Sequence, residues 1–137
     1  MCKWQSITIS DKGGKIPIPA QVFQDACEII LQAAQNKQTI TYTEIMDQLK
    51  KSGHRKISRR TIGKILGEVN DQVSQNTNPS IYPSAIVILS GGNRPGGNFW
   101  GVSTGTNPPS GVVPSNRTKT LQRYRNDIFN KHWSCNC

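Results

Sequence analysis

Acidic residues are scarce in this chain: 8 Asp and Glu stand against 17 Lys and Arg in 137 residues, a formal net charge of +9. That imbalance suits an anionic partner, nucleic acid first and an anionic membrane surface second. Long apolar runs are missing too. The longest, AIVIL at residues 85–89, falls far short of the roughly 20 residues needed to cross a bilayer, and the opening MCKWQSITIS lacks the apolar centre of a secretion signal. No membrane partner is expected, and the expected location is cytoplasmic. The two histidines, His54 and His132, have no carboxylate at a fixed local spacing, and the acids are scattered, so no acid–base pair is read. Cysteine is sparse and ill placed for a disulfide framework. Cys27 lies on an apolar helical stripe, while Cys2, Cys135 and Cys137 sit at the ends, so reduced thiols are expected. The final HWSCNC places His132, Cys135 and Cys137 close together. A CxC without a second CxxC or HxxxH is a poor zinc pattern, and a frayed tail is the better reading. These absences leave no metal, no cofactor and no catalytic group to expect.

What is present has a clear order. WQSITI at residues 4–9 alternates like a short strand, and DKGGKIPIP reads as a loop whose prolines bar helix until about Pro19. Phe23, Ala26, Cys27, Ile30, Leu31 and Ala34 then recur at helical spacing, one buried face of an amphipathic helix with Pro19 at its first position. Thr41 and Glu44 form a capping box for a second helix with Tyr42, Ile45, Met46 and Leu49 on its apolar side. A turn containing Gly53 follows. Ser58 is a good N-cap for a third helix running to about Gln75, with Ile62, Ile65, Leu66, Val69 and Val73 as its stripe.

The period then changes. SAIVILS at residues 84–90 reads as a buried strand, GGNRPGG at 91–97 as a turn, and NFWGVS at 98–103 as the returning strand. Residues 104–116 are rich in Pro, Gly and Ser and read as an irregular linker. A C-terminal helix is expected over residues 117–133, carrying Leu121, Tyr124, Ile128 and either Phe129 or Trp133 on one side. That side either packs on Phe23 and Ile30 of the first helix, the preferred reading, or pairs two chains as a homodimer. The expected fold is a single α+β domain: a winged helix-turn-helix core over about 19–103, with a three-helix body and a β-hairpin wing, plus an N-terminal strand and a C-terminal helix.

The basic residues are not spread evenly over this plan. Lys50, Lys51, Arg55, Lys56, Arg59, Arg60 and Lys64 fall in one fifteen-residue window with no acid. With Ile62 at zero on the third helix, Arg60 lies at about 160° and Lys64 at about 200°, both opposite the core stripe. Gly63 and Gly67 lie at about 100° and 140°, on the flank beside them, where a glycine costs about 1 kcal/mol against alanine and so invites close approach by a neighbour. Ser58, Arg59, Arg60 and Thr61 open the helix where phosphates are met, and arginine is suited to bidentate contact with phosphate or guanine. Lys50, Lys51, Arg55 and Lys56 would track the DNA backbone, and Arg94 in the wing would add a further contact. Solvated helix faces ordinarily mix both signs of charge, and this one does not.

ITYTEIMDQL, RRTIGKIL, the Asn78-Pro79 pair, YPS and the glycine-rich GG…GGNFWG together resemble the C-terminal domain of alkylguanine-DNA alkyltransferases and alkyltransferase-like proteins, over roughly residues 20–103. The resemblance implies a winged-helix DNA-binding domain. It puts Tyr42 near the phosphate of a flipped nucleotide and Arg60 in the base stack that the nucleotide leaves. The family's Pro-Cys-His-Arg is missing: YPSAIV stands there, with Ser84 nearest the reactive cysteine and no histidine beside it. Without a thiolate and its activator there is no alkyl transfer. The helix between Arg60 and Asn78 is also longer than the family's. The expected function is therefore a non-catalytic binder of double-stranded DNA, a regulator or a phage- or defence-associated protein. The alternatives are an adaptor or inhibitor that turns its basic face to an acidic protein partner, and a sensor of modified bases without repair activity. Phe99 and Trp100 read as core rather than as a base pocket.

Overall fold

The computed structural model describes residues 4–11, 14–54, 57–77, 80–89, 91–92 and 117–130. It is an α+β fold. Strands β1 (Ile7–Asp11) and β2 (Gly14–Ile18) pair antiparallel, with Ile9 opposite Ile16 and Thr8 opposite Pro17. The segment expected to be a loop is thus largely a strand. Its prolines exclude helix, but a two-stranded pair leaves each strand an open side on which a missing N–H is harmless. Helix α1 (Ala20–Gln35) follows, with Pro19 as its N-cap rather than its first residue. Strand β3 (Ile40–Thr41) leads into α2 (Tyr42–Lys51), and α3 (Arg59–Gln75) comes next. A buried 3-10 turn (Pro83–Ile86), strand β4 (Val87–Ile88) and helix α4 (Arg117–Asn130) complete the described chain.

Local chemistry sets the helix ends. The Thr41 side chain accepts from the Glu44 N–H while the Glu44 carboxylate accepts from the Thr41 N–H, the expected capping box. Ser58 Oγ accepts from the Thr61 N–H. At the end of α2, Gly53 has φ +97, its N–H bonds the Lys50 carbonyl, and the His54 N–H bonds the Leu49 carbonyl. That paired pattern satisfies two orphan carbonyls and needs the left-handed conformation that glycine tolerates.

α1 lies at the centre, packed on α2, α3 and the 3-10 turn. Phe23, Ala26, Cys27 and Ile30 from α1 meet Ile45 and Leu49 from α2 and Ile62, Ile65, Val69 and Val73 from α3 in one core. β4 was expected to begin a hairpin over residues 84–90. Instead, residues 84–86 belong to the 3-10 turn, and β4 pairs in parallel with β3, Ile40 beside Val87 and Thr41 beside Ile88. The returning strand at 98–103, the linker at 104–116 and most of the turn at 91–97 lie outside the described residues, as do Trp133 and the tail cysteines. α4 packs on the 3-10 turn and on α1. Its Tyr124 ring lies 4.8 Å from that of Tyr82, Ile128 is buried, and Arg125 Nε donates to the Ala85 carbonyl at 2.7 Å.

Cys27 corrects an expectation. It is fully buried on α1, and its sulfur is in a disulfide whose partner lies outside the described residues, not a free thiol. Its place on an apolar stripe explains its burial but says nothing of what reaches it from a distant part of the chain. The inference from cysteine usage to a reducing compartment goes with it. No described helix is long and apolar enough to cross a membrane. Intact mass after alkylation under non-reducing conditions should show Cys27 protected. Reduction should then lower the melting temperature, corresponding to about 2–4 kcal/mol of lost stability.

Candidate nucleic-acid interface

The basic window is split between two helix ends. Lys50 and Lys51 are exposed in the last turn of α2, where cations complement the carbonyl end of the helix dipole. Ser58, Arg59 and Arg60 are exposed at the start of α3, and Lys64 is half-buried one turn on. Arg55 and Lys56, between the two helices, lie outside the described residues, and so do Arg94, Asn78 and Pro79. Tyr42 occupies the first position of α2, half-buried against the core edge.

Two of the expected contacts change character. Thr61 is 1% exposed, and its hydroxyl lies 2.9 Å from Ser58 Oγ. It belongs to the cap and the core, so it is removed from the interface. Ser58 stays at the surface with its oxygen engaged by the Thr61 N–H. Gly67, placed on an exposed flank by the helical wheel, is buried. Gly63 is half-buried, and nothing stands within 4 Å of where a Cβ would project from it.

Contacts across long sequence separations add what local spacing missed. His54 Nε2 lies 2.7 Å from Asp25 Oδ2, and Gln21 Nε2 donates to Asp25 Oδ1, also at 2.7 Å. His54 does have a carboxylate partner, supplied by α1 from 29 positions away. The pair ties α1 to the turn that precedes Arg55 and Lys56. Asn70, buried in the middle of α3, clasps Ser84: its amide nitrogen donates to Ser84 Oγ, and its Oδ1 accepts from the Ser84 N–H at 2.9 Å. An amide that donates to a hydroxyl cannot take the hydroxyl's proton, so this neighbour does not activate Ser84. Among the described residues, no group of three or more His, Cys, Asp or Glu is placed to hold a metal ion.

Charge is segregated along α3. Its first turn carries Arg59 and Arg60 and no acid, whereas Glu68 and Asp71 occupy its middle. Burial, then the nearby charge of Glu68, pushes the Asp71 carboxyl up to about 6. Burial also raises the Tyr82 hydroxyl and carries that of Tyr124 to about 12, while it lowers the Arg125 guanidinium.

No family model matches this chain, and neither a curated protein nor a solved structure matches it. The interface is read from its own geometry.

Asp71 generates a pH dependence. Its folded-state value is raised from the ordinary 3.8 to about 6, so the fold favours the neutral form. The resulting stabilisation is present below the unfolded value and is lost as the pH climbs through the folded one. Melting temperatures should carry a component that declines between about pH 4 and pH 6 and then levels. Asp71→Asn, fixed in the neutral form, should remove that component and be more stable than wild type at pH 7. The gain should be about 1 kcal/mol, below the full linkage value because solvent screens this part-exposed group.

Proposed function

We propose that the chain is a non-catalytic DNA-binding protein of winged-helix type, with α3 as the recognition helix and Arg59, Arg60 and Lys64 meeting phosphates or base edges. One observation carries this reading: two exposed arginines stand in the first turn of α3, which has no acid. The N–H end of a helix carries roughly half a positive charge, so each cation there costs about 0.3–1 kcal/mol instead of stabilising the helix. A phosphate at that end would reverse the sign, meeting the dipole and two guanidiniums together. Lys50 and Lys51 flank the same turn and extend the positive surface. The buried Asn70–Ser84 pair supports the non-catalytic part of the reading, because the Asn70 amide is no base and the hydroxyl is buried.

Gly63 fits the same picture. Among the described residues nothing stands within 4 Å of where its Cβ would project, yet glycine inside a helix costs about 1 kcal/mol against alanine. A groove wall approaching the backbone would give that cost a function.

Fluorescence anisotropy against a random duplex, across a series of salt concentrations, tests the reading. Wild type should bind with a Kd of roughly 1–100 µM at physiological salt, and Arg59→Gln with Arg60→Gln should flatten the log–log salt slope by about 2. Absence of wild-type binding at low salt would defeat the DNA reading and leave the basic face to an acidic protein. Gly63→Ala should raise the melting temperature while weakening DNA binding. Unchanged binding in that variant would remove the close-approach role of Gly63.

A further inference from the structure

We propose that α4 presents a second DNA-contact face, formed by Lys119, Gln122, Arg123, Asn126 and Asn130. The inference rests on the DNA-binding reading and adds to it a separate element with different chemistry. These five residues recur at helical spacing, and all are exposed. On a helical wheel they occupy an arc of about 100° opposite the Tyr124–Ile128 side that packs inward. The arc holds two cations, three amides and no acid. Asp127, the only acid on α4, lies outside it and is half-buried.

A helix face meant only for water is rarely built this way. Surface helices ordinarily alternate acids and cations four apart, whereas α4 has one acid, the half-buried Asp127, four residues after Arg123 and off the arc. Asparagine is a poor helix former, costing roughly half a kcal/mol against alanine, and Asn126 is well inside the helix. The charges also run against the helix dipole: α4 has no acid in its first turn, where exposed Lys119 sits, and no cation in its last. The same residue types are the ones that read duplex DNA. Asn and Gln pair bidentately with adenine, Arg with guanine, and Lys with phosphate. From Lys119 to Asn130 the face is about 16 Å long, and a major groove about 12 Å wide admits a helix of this kind.

The face is held firmly. Tyr124 packs on Tyr82, Ile128 is buried, and Arg125 donates to the Ala85 carbonyl. The Arg123 guanidinium stands 5.7 Å from the centre of the Tyr124 ring, which restrains its side chain. The helix that carries the face is thus anchored before any partner arrives.

Isosteric charge insertion tests this without disturbing the packing. Gln122→Glu with Asn126→Asp should lower affinity for a random duplex at least tenfold at low salt, with an unchanged circular dichroism spectrum. Lys119→Gln with Arg123→Gln should flatten the salt slope by about 2. If both variants bind like wild type while Arg59→Gln with Arg60→Gln loses affinity, the α4 face is refuted and the α3 reading stands. If the α4 variants lose affinity and the α3 variant does not, the α4 face stands and the recognition role of α3 falls. Wild type that binds no DNA at low salt overturns both.

Discussion

The 3-10 turn Pro83–Ile86 is irregular backbone buried at the meeting point of α1, α3 and α4. Burying such a segment strands polar groups that a regular helix or strand would satisfy internally, each at about 1–3 kcal/mol if left unmet. The surrounding elements supply the partners. Asn70 from α3 takes the Ser84 N–H and donates to its hydroxyl, the Ala85 N–H bonds the Tyr82 carbonyl, and Arg125 from α4 donates to the Ala85 carbonyl. An asparagine and an arginine are thereby drawn into an otherwise apolar centre. Their demands fix which face α3 and α4 turn inward. The outward faces, including both basic ones, follow from that choice.

Much of this plan is legible in the sequence because it is local. Thr41 with Glu44, Ser58, Gly53 and the stripes of α1, α2 and α3 act within a few residues of where they are written, and each does what its spacing implies. The misreadings share a cause. The Asn70–Ser84 clasp spans 14 positions and the His54–Asp25 pair 29, and in neither case do the partners share one helix or strand whose periodicity could relate them. The Cys27 disulfide likewise leaves no mark in the helical stripe on which Cys27 lies. Pro17 misleads for a different reason: its missing N–H excludes helix and an inner strand but not a two-stranded edge.

The candidate site divides along the same line. The exposure of Arg60 follows from its wheel position, whereas Lys64, which the same wheel puts opposite the core, is half-buried. Thr61 looked like its neighbours in SRRT because a hydroxyl one residue after an exposed arginine gives no sign of burial. Only its packing beside Ile62 and its bond to Ser58 take it out of reach. The proposed α4 face rests on the recurrence of Lys119, Gln122, Arg123, Asn126 and Asn130, a pattern legible in the sequence.

Helix chemistry in this chain mostly obeys local rules, which makes its departures informative. α2 has a full capping box at its start, an acid in its first turn and two lysines in its last. α3 and α4 break the same rules, with cations and no acid in their opening turns. The departures lie at the surface, where no packing requirement forces them and where a change to Glu would be tolerated. Each costs a few tenths of a kcal/mol, and together with a net charge of +9 they add self-repulsion. Local rules are broken at a surface chiefly where function gains from it. Under the proposed DNA-binding reading, phosphate would offset all of these positions at once, because one polyanion meets the cations and the helix dipoles with a single sign of charge.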